Sequence, residues 1–202
     1  MARTSGTASV EPVAADAATG CGRPMRADAQ RNRDALLAAA RVAFTERGAA
    51  ASLEDVARRA GVGVGTLYRH FPTRQDLVEA VYVEEVEALC RSAGSGEGTS
   101  WDKLVGWFDR FVDYVVTKRA LIDEMVATIG QTAPVFRTCH DAIFAAGEPL
   151  LQQAKDDGYV RPDVAFTDAI RIVSGISMIK NAQPADVRRI LAVALDGLRY
   201  RG

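Results

Sequence analysis

Gly48, Gly61, Gly63 and Pro72 punctuate the stretch from Leu36 to Val81 so closely that the pieces between them have room only for short helices. From about Asp28, Leu36, Leu37, Ala40, Ala43 and Phe44 recur at helical spacing, and Gly48 supplies a left-handed stop. Ser52 opens a second helix with Asp55 three residues on as a capping-box-like pair. Leu53, Val56, Ala57 and Ala60 form its apolar side, and it ends at Gly61. A third must fit between Gly63 and Phe71, because Pro72 disfavours helical geometry in the residue before it. Thr73 with Asp76 then caps a longer helix through Leu77, Val81, Val86 and Leu89.

Past a Gly- and Ser-rich loop, Ser92 to Ser100, helical spacing resumes. Trp101, Leu104, Val105, Phe108, Phe111, Val112 and Val115 form one face, with Trp107 and Tyr114 to its side, so this helix is apolar around most of its girth and belongs at the centre of a fold. A shorter helix is expected from about Ala120 to Thr128. A longer one follows from about Pro134 to Lys155, in which Gly147 and Pro149 predict a kink or a break. Two more run from Val164 to about Lys180 and from Pro184 to Arg199. No strand-like alternation occurs, so the expected fold class is all-α with about nine helices. Residues 1–25 carry no repeating apolar face and are expected to form a flexible arm.

Composition narrows the function classes. At 48% hydrophobic and 25% charged, a chain of 202 residues can bury a sizeable core. No apolar run approaches the roughly 18 to 20 residues needed to cross a bilayer, and no secretory signal opens the chain, so a soluble, cytoplasmic protein with no membrane partner is expected. Cys21, Cys90 and Cys139 are odd in number and far apart, as are His70 and His140, which leaves no disulfide framework, metal site or cofactor to expect. The net charge of −1 conceals a division: Arg26 to Arg74 holds nine arginines against five acids, for +4, whereas Gln75 to Gly202 sums to −5. That asymmetry is expected where one part of a protein meets phosphate and the rest does not.

Two short helices joined by a tight turn at Gly61, the second of them in the basic segment, have the arrangement of a helix-turn-helix DNA reader. Ala57 must be small where the helices cross, and Val62 and Leu67 pack the reader helix onto Phe44 and Val56. Val64, Thr66, Tyr68, Arg69 and His70 are left outward, a mixture of hydroxyl, aromatic, cationic and imidazole groups that suits a major groove. The string from Asp34 to Val81, containing ALLAAARVAF and SLEDVARRAGVGVGTLYRHFPTRQDLVEAV, closely resembles the DNA-binding domain of the tetracycline-repressor (TetR) family of transcription regulators. Gly63 stands where that family commonly has a capping serine, a loss of a few tenths of a kcal/mol. Arg74 replaces a frequent lysine.

The resemblance implies a DNA-binding domain over residues 26–74 and a sensing and dimerisation domain over residues 75–202. It implies that Tyr68 and His70 contact phosphates, that Thr66, Arg69 and the backbone at Val64 and Gly65 face base edges, and that Arg74 clamps the DNA backbone, with Ser52 completing the set. For Tyr68, packing on the first helix is the alternative, and for His70 a helix C-terminal cation. It further implies a homodimer on a palindromic double-stranded operator. The last two helices would pair through Phe166, Ile170, Val173, Ile190, Leu191, Ala194, Leu195 and Leu198, although the same stripes could close the core of one chain. Trp107, Phe108, Phe111, Tyr114, Met125, Phe136, His140 and Phe144 are the expected pocket for a small lipophilic effector, although aromatics at helical spacing are more often core than pocket. Asp113, Glu124 and Gln131 are further polar candidates for orienting it.

A repressor released by its effector is the expected function, with an activator or a ligand-independent DNA-binding protein of the same fold as the alternative. Cys139, His140 and Asp141 read like a condensed nucleophile, base and orienter. On a helix, adjacent side chains diverge by about 100 degrees, so the three are not expected to act on one another, and no enzymatic activity is expected.

Overall fold

Residues 22–129, 133–179 and 183–200 are described in the computed structural model, and they form eight α-helices. Helix α1 (Gly22–Arg47) begins inside the expected arm. Pro24 falls in its first turn, where a missing N–H costs nothing because that N–H would have no helical partner. The remainder of the arm, residues 1–21, lies outside the described residues. Leu36, Leu37, Ala40, Ala43 and Phe44 are buried along one side of α1. The helix stops at Gly48, whose φ of +53° only glycine adopts easily. After a single 3₁₀ turn, Gly48–Ala50, come α2 (Leu53–Arg59), α3 (Val64–His70) and α4 (Arg74–Ser92). Helix α1 packs on α2 and α3 as well as on α4 and α5, and so joins the small N-terminal head to the body.

Helix α5 (Ser100–Ile129) is continuous, which absorbs the separate helix expected from Ala120 and brings the number to eight. No Gly or Pro lies between Trp107 and Ile129 to break the backbone. Trp107 sits at the centre of the body, its ring 5.5 Å from Phe108, 5.8 Å from Phe111 and 5.8 Å from Phe166. Its indole N–H donates to the Leu89 carbonyl at 3.3 Å, so the one polar atom of the ring is satisfied and ties α5 to α4.

Helix α6 (Pro134–Asp156) runs unbroken through Gly147 and Pro149, so of the expected kink or break the break does not occur. Gly147 is there for space: a Cβ built on it would lie 2.3 Å from the Phe166 ring and 2.6 Å from that of Trp107. Helices α7 (Phe166–Ser177) and α8 (Pro184–Asp196) pack on each other, and α7 also on α5 and α6. Among the described residues the only extended pairing is the bridge between Val160 and Arg199, which pins the loop before α7 to the end of the chain.

The stripes expected at a dimer interface divide by burial. Phe166, Val173, Leu191, Leu195 and Leu198 are buried within a single chain, and Ile170, Ile190 and Ala194 are half-buried. Both helices carry apolar residues on two sides, and spacing alone does not tell which side the body covers. What remains uncovered is a different set, Ile172 and Gly175 on α7 with Ala192 and Val193 on α8, Val193 being 70% exposed.

Gly147→Ala and Gly106→Ala should change stability in opposite directions. Alanine is favoured over glycine in a helix by about 1 kcal/mol, and the space beside Gly106 is open. At Gly147 the overpacking cost of about 1–3 kcal/mol wins. Thermal unfolding should therefore show a raised Tm for Gly106→Ala and a Tm lowered by several degrees for Gly147→Ala; an equal rise in both would contradict the packing of α6 on Trp107.

Candidate nucleic-acid interface and central cavity

Helices α2 and α3 are seven residues each, too short to persist alone, and local groups fix their ends. The Ser52 hydroxyl accepts from the Asp55 N–H at 3.1 Å. Asp55 does not return the favour to Ser52. Its buried carboxylate accepts from the Arg59 guanidinium at 2.7 Å and from Arg58, and Arg59 reaches on to Glu46 of α1 at 2.8 Å. Burial acts to raise the Asp55 carboxyl, but the hydrogen bonds and charges of Arg59 and Arg58 outweigh it and hold the group below the ordinary carboxylate value. Gly61, at φ +69°, makes the turn, and the Val62 N–H donates to the Ala57 carbonyl at 3.0 Å. Glycine at the α3 N-cap offers no side-chain cap, and the Gly63 carbonyl accepts from the N–H groups of Thr66 and Leu67.

Leu67 anchors α3 with no exposed surface. Val64 (38% exposed), Gly65, Tyr68 (44%) and Arg69 all face outward. At 100 degrees per residue they span about 140 degrees of the helix, a single face. On the same count Thr66 lies about 60 degrees beyond Arg69 and His70 about 100 degrees beyond it, toward the other side of the helix, and both are half-buried. Thr66 accepts from the Arg69 guanidinium at 2.9 Å, which holds that cation along the exposed face. His70 lies against Phe71, ring centroids 6.2 Å apart. Ser52 is exposed at the start of α2.

Arg74 is placed otherwise than as a clamp on DNA. Its guanidinium donates to the carbonyls of Ala51 and, at 3.1 Å, Ala49, and lies over the Phe44 ring at 5.0 Å. It ties the start of α4 to the turn between α1 and α2. The long reach of arginine is what carries the charge inward, a choice that a lone residue type in a motif does not reveal.

A cavity of about 250 Å³ lies in the body between α4, α5, α6 and α7. Phe111, Tyr114, Phe136, His140 and Phe144 of the expected pocket line it. Trp107, Phe108 and Met125 do not: all three are buried core. Asp113 is exposed and faces Arg188 of α8 at 3.6 Å; Gln131 and the Glu124 side chain lie outside what is described. Sequence reasoning missed Tyr82, Lys118 and Ser174 in the wall. Lys118 lies four residues beyond Tyr114, hence on the same side of α5, which was the available signal. The Tyr114 hydroxyl donates to that of Tyr82 at 3.4 Å, and the Lys118 ammonium is 5.8 Å from each ring. Burial, and then the adjacent Tyr82, push the Tyr114 hydroxyl far above its ordinary value; burial does the same to Tyr82 against the hydrogen bond from Tyr114. Both stay neutral.

The run Cys139, His140, Asp141 also departs from expectation in one respect. His140 and Asp141, both exposed, do meet, Nδ1 to Oδ1 at 3.2 Å, since their side chains can bend toward each other over the helix surface. Cys139 faces away into the core beside Tyr82, where burial pushes its thiol up. A triad is not assembled.

A two-helix reader with one exposed, cation-bearing face, mounted on an all-helical body with an internal cavity, defines a helix-turn-helix DNA-binding regulator. Residues 36–81 match the bacterial regulatory proteins of the tetR family, and residues 101–200 match the C-terminal domain of SbtR-like transcriptional regulators. The chain belongs to the TetR family of transcription regulators. It is similar to a TetR transcriptional regulator from Streptomyces coelicolor, 38% identical, with 84% of this chain and 99% of that one covered at a TM-score of 0.76. A TetR regulator from Mycobacterium vanbaalenii is 31% identical over 88% of this chain and 100% of its own, at a TM-score of 0.69. The HTH-type transcriptional regulator UidR of Escherichia coli is 28% identical over 87% of this chain and 93% of its own length. No helix among the described residues is long and apolar enough to cross a membrane.

The head yields two predictions. Arg74→Met should lower stability by about 1–3 kcal/mol, the usual worth of hydrogen bonds to a charged group, whereas Arg69→Ala should leave the Tm unchanged; an Arg74→Met protein as stable as the parent would contradict the inward placement. The depressed Asp55 value contributes stability that is present above the unfolded value of about 3.9 and is lost as pH falls through the lower folded value. Asp55→Asn should therefore melt earlier than the parent at pH 7, with the two curves converging as the solution is acidified through the lowered folded value of Asp55.

Proposed function

We propose that the protein is a dimeric repressor that binds a palindromic operator through α3 and is released by a small effector held in the body cavity. The observation that carries the DNA-reading part is the exposed face of Val64, Gly65, Tyr68 and Arg69, set in the one segment whose charge is +4. Arg69 can reach base edges, Tyr68 and His70 can donate to phosphates, and Gly65, with open space where a Cβ would be, lets the groove wall approach the backbone. The acidic remainder limits non-specific adhesion, so the head alone should set the salt dependence of binding. Such a role is exercised in the cytoplasm, where the DNA is.

One seven-residue reader helix covers too few base pairs for useful specificity, which favours two copies on half-sites one helical turn or a multiple apart. The uncovered apolar face of Ile172, Gly175, Ala192 and Val193 supports pairing, because Gly175 has open space beside it for another helix to approach closely. Release by an effector is favoured by α4, which lines the cavity with Tyr82 and holds the head with Arg74. An effector must prefer the non-DNA state by roughly 1–3 kcal/mol to be useful; tightness alone shifts nothing.

Selection from random duplex DNA should enrich one two-fold-symmetric sequence, and sedimentation at micromolar concentration should give a dimer that Val193→Asp dissociates. Failure to enrich any sequence would sink the reading. On the selected duplex, Arg69→Ala should cost about 1–3 kcal/mol and relax preference at one position in each half-site; a uniform loss on all sequences would make Arg69 a phosphate contact instead.

A further inference from the structure

The wall of the central cavity contains an ammonium group, that of Lys118, to which no described residue brings a carboxylate. Lys118 is half-buried, its ammonium set 5.8 Å from the faces of both Tyr82 and Tyr114, and among the described residues no carboxylate lies within ion-pair distance of it. The groups around it are the neutral hydroxyls of Tyr82 and Tyr114 and the buried thiol of Cys139, which burial keeps protonated. Burial lowers the Lys118 value as well, the mark of a cation that lacks full compensation. Two aromatic faces give a cation partial support, not neutralisation. Besides the imidazole of His140 and the hydroxyl of Ser174, the rest of the lining is apolar or aromatic, with Phe111, Phe136, Phe144 and Ile170 among it.

We propose that the cavity binds a small lipophilic carboxylic acid as its carboxylate, paired with Lys118 and its apolar part enclosed by Phe111, Phe136 and Phe144. The inference rests on reading the cavity as the effector site and names the chemistry of what enters it. A charged pair in a poorly solvated wall is stronger than in water, and a carboxylate has acceptor capacity left over for a tyrosine O–H. A neutral lipid would leave the ammonium buried and unpaired, and an amine would add a second cation beside it; both are disfavoured for the same reason. Size bounds the acid. At about 30 Å³ per water, the cavity holds the equivalent of about eight waters, which fits an acid of about ten non-hydrogen atoms.

Isothermal titration of the full chain with phenylacetate and octanoate, against phenylacetamide and benzylamine as neutral and cationic counterparts, tests this directly. The acids should bind at least tenfold more tightly than the amide, and the amine should not bind. Lys118→Met should lose at least tenfold for the acids while keeping or improving its affinity for the amide, and its Tm should not fall, because a half-buried charge with no carboxylate beside it among the described residues has been replaced by an apolar side chain of similar length. Lys118→Arg should retain preference for acids. Equal binding of acid and amide by the parent, or acid binding undiminished in Lys118→Met, would overturn the assignment while leaving the cavity an effector site of other chemistry. If none of the probes binds, the assignment falls, and the effector reading loses its support with it. Acids that bind through Lys118 but leave the affinity for the selected duplex unaltered would uphold the assignment and defeat the release step.

Discussion

The Arg74 guanidinium, bound to the carbonyls of Ala49 and Ala51 over the Phe44 ring, is the contact on which the arrangement of this molecule turns. Seven-residue helices such as α2 and α3 are not stable in isolation, so their orientation is inherited from whatever they pack on. Helix α1 supplies an apolar bed, Leu36 to Phe44, and that alone would fix the distance of the reader but only loosely its angle. The last carbonyls before α2 lie in a 3₁₀ turn and have no continuing helix to satisfy them. Arg74 satisfies two of them from the first turn of α4, making the angle of the head a property of α4.

From Arg74 to Tyr82 is eight residues, about 12 Å along the helix axis. A shift of α4 at the cavity is therefore transmitted over a short rigid rod to the turn that orients α3. The indole of Trp107 bonded to the Leu89 carbonyl holds the far end of the same rod to α5. Near its middle, Glu85 of α4 meets Arg41 of α1 at 2.9 Å, where burial first, and the adjacent Glu84 as well, raise the carboxyl against the pull of Arg41. Helix α4 is thus tied by polar contacts at both ends and by the burial of Val81, Tyr82 and Val86 along its middle.

The head was legible in its sequence because glycine, proline and capping pairs are local devices. Gly48 and Gly61 take positive φ where the text places stops, and Thr73 with Asp76 forms the full reciprocal cap. Ser52 with Asp55 closes on one side alone, since two arginines one turn further on compete for the carboxylate, a competition visible only once charges are placed in space. The body was less legible because its helices are apolar on more than one side. Phe166, Val173 and Leu191 carry the periodicity expected of an interface and are core, while Val193, one step round α8, is not. Gly147 read as a flaw in α6 and is instead a slot for the rings of Phe166 and Trp107, which sequence separation conceals.

The same limit explains Lys118. In the text it stands in a polar run that resembles the end of a helix; in space that run is the interior of α5, and one of its residues turns toward the cavity. The placement creates a tension with the surrounding charge, because Gln75 to Gly202 carries −5. An anion approaching the body meets a repulsive field, but at physiological ionic strength that field is damped over about 8 Å, and surface charge governs chiefly the rate of encounter. In the cavity wall the nearest described charge is a half-buried cation beside two aromatic rings, where a single close pairing outweighs many distant, screened ones. An acidic exterior around a basic interior point therefore slows entry while selecting at the bottom of the pocket for acids. Distant acids on the surface cannot substitute for a close counter-ion of Lys118, which none of the described residues supplies and which a carboxylate entering the cavity would.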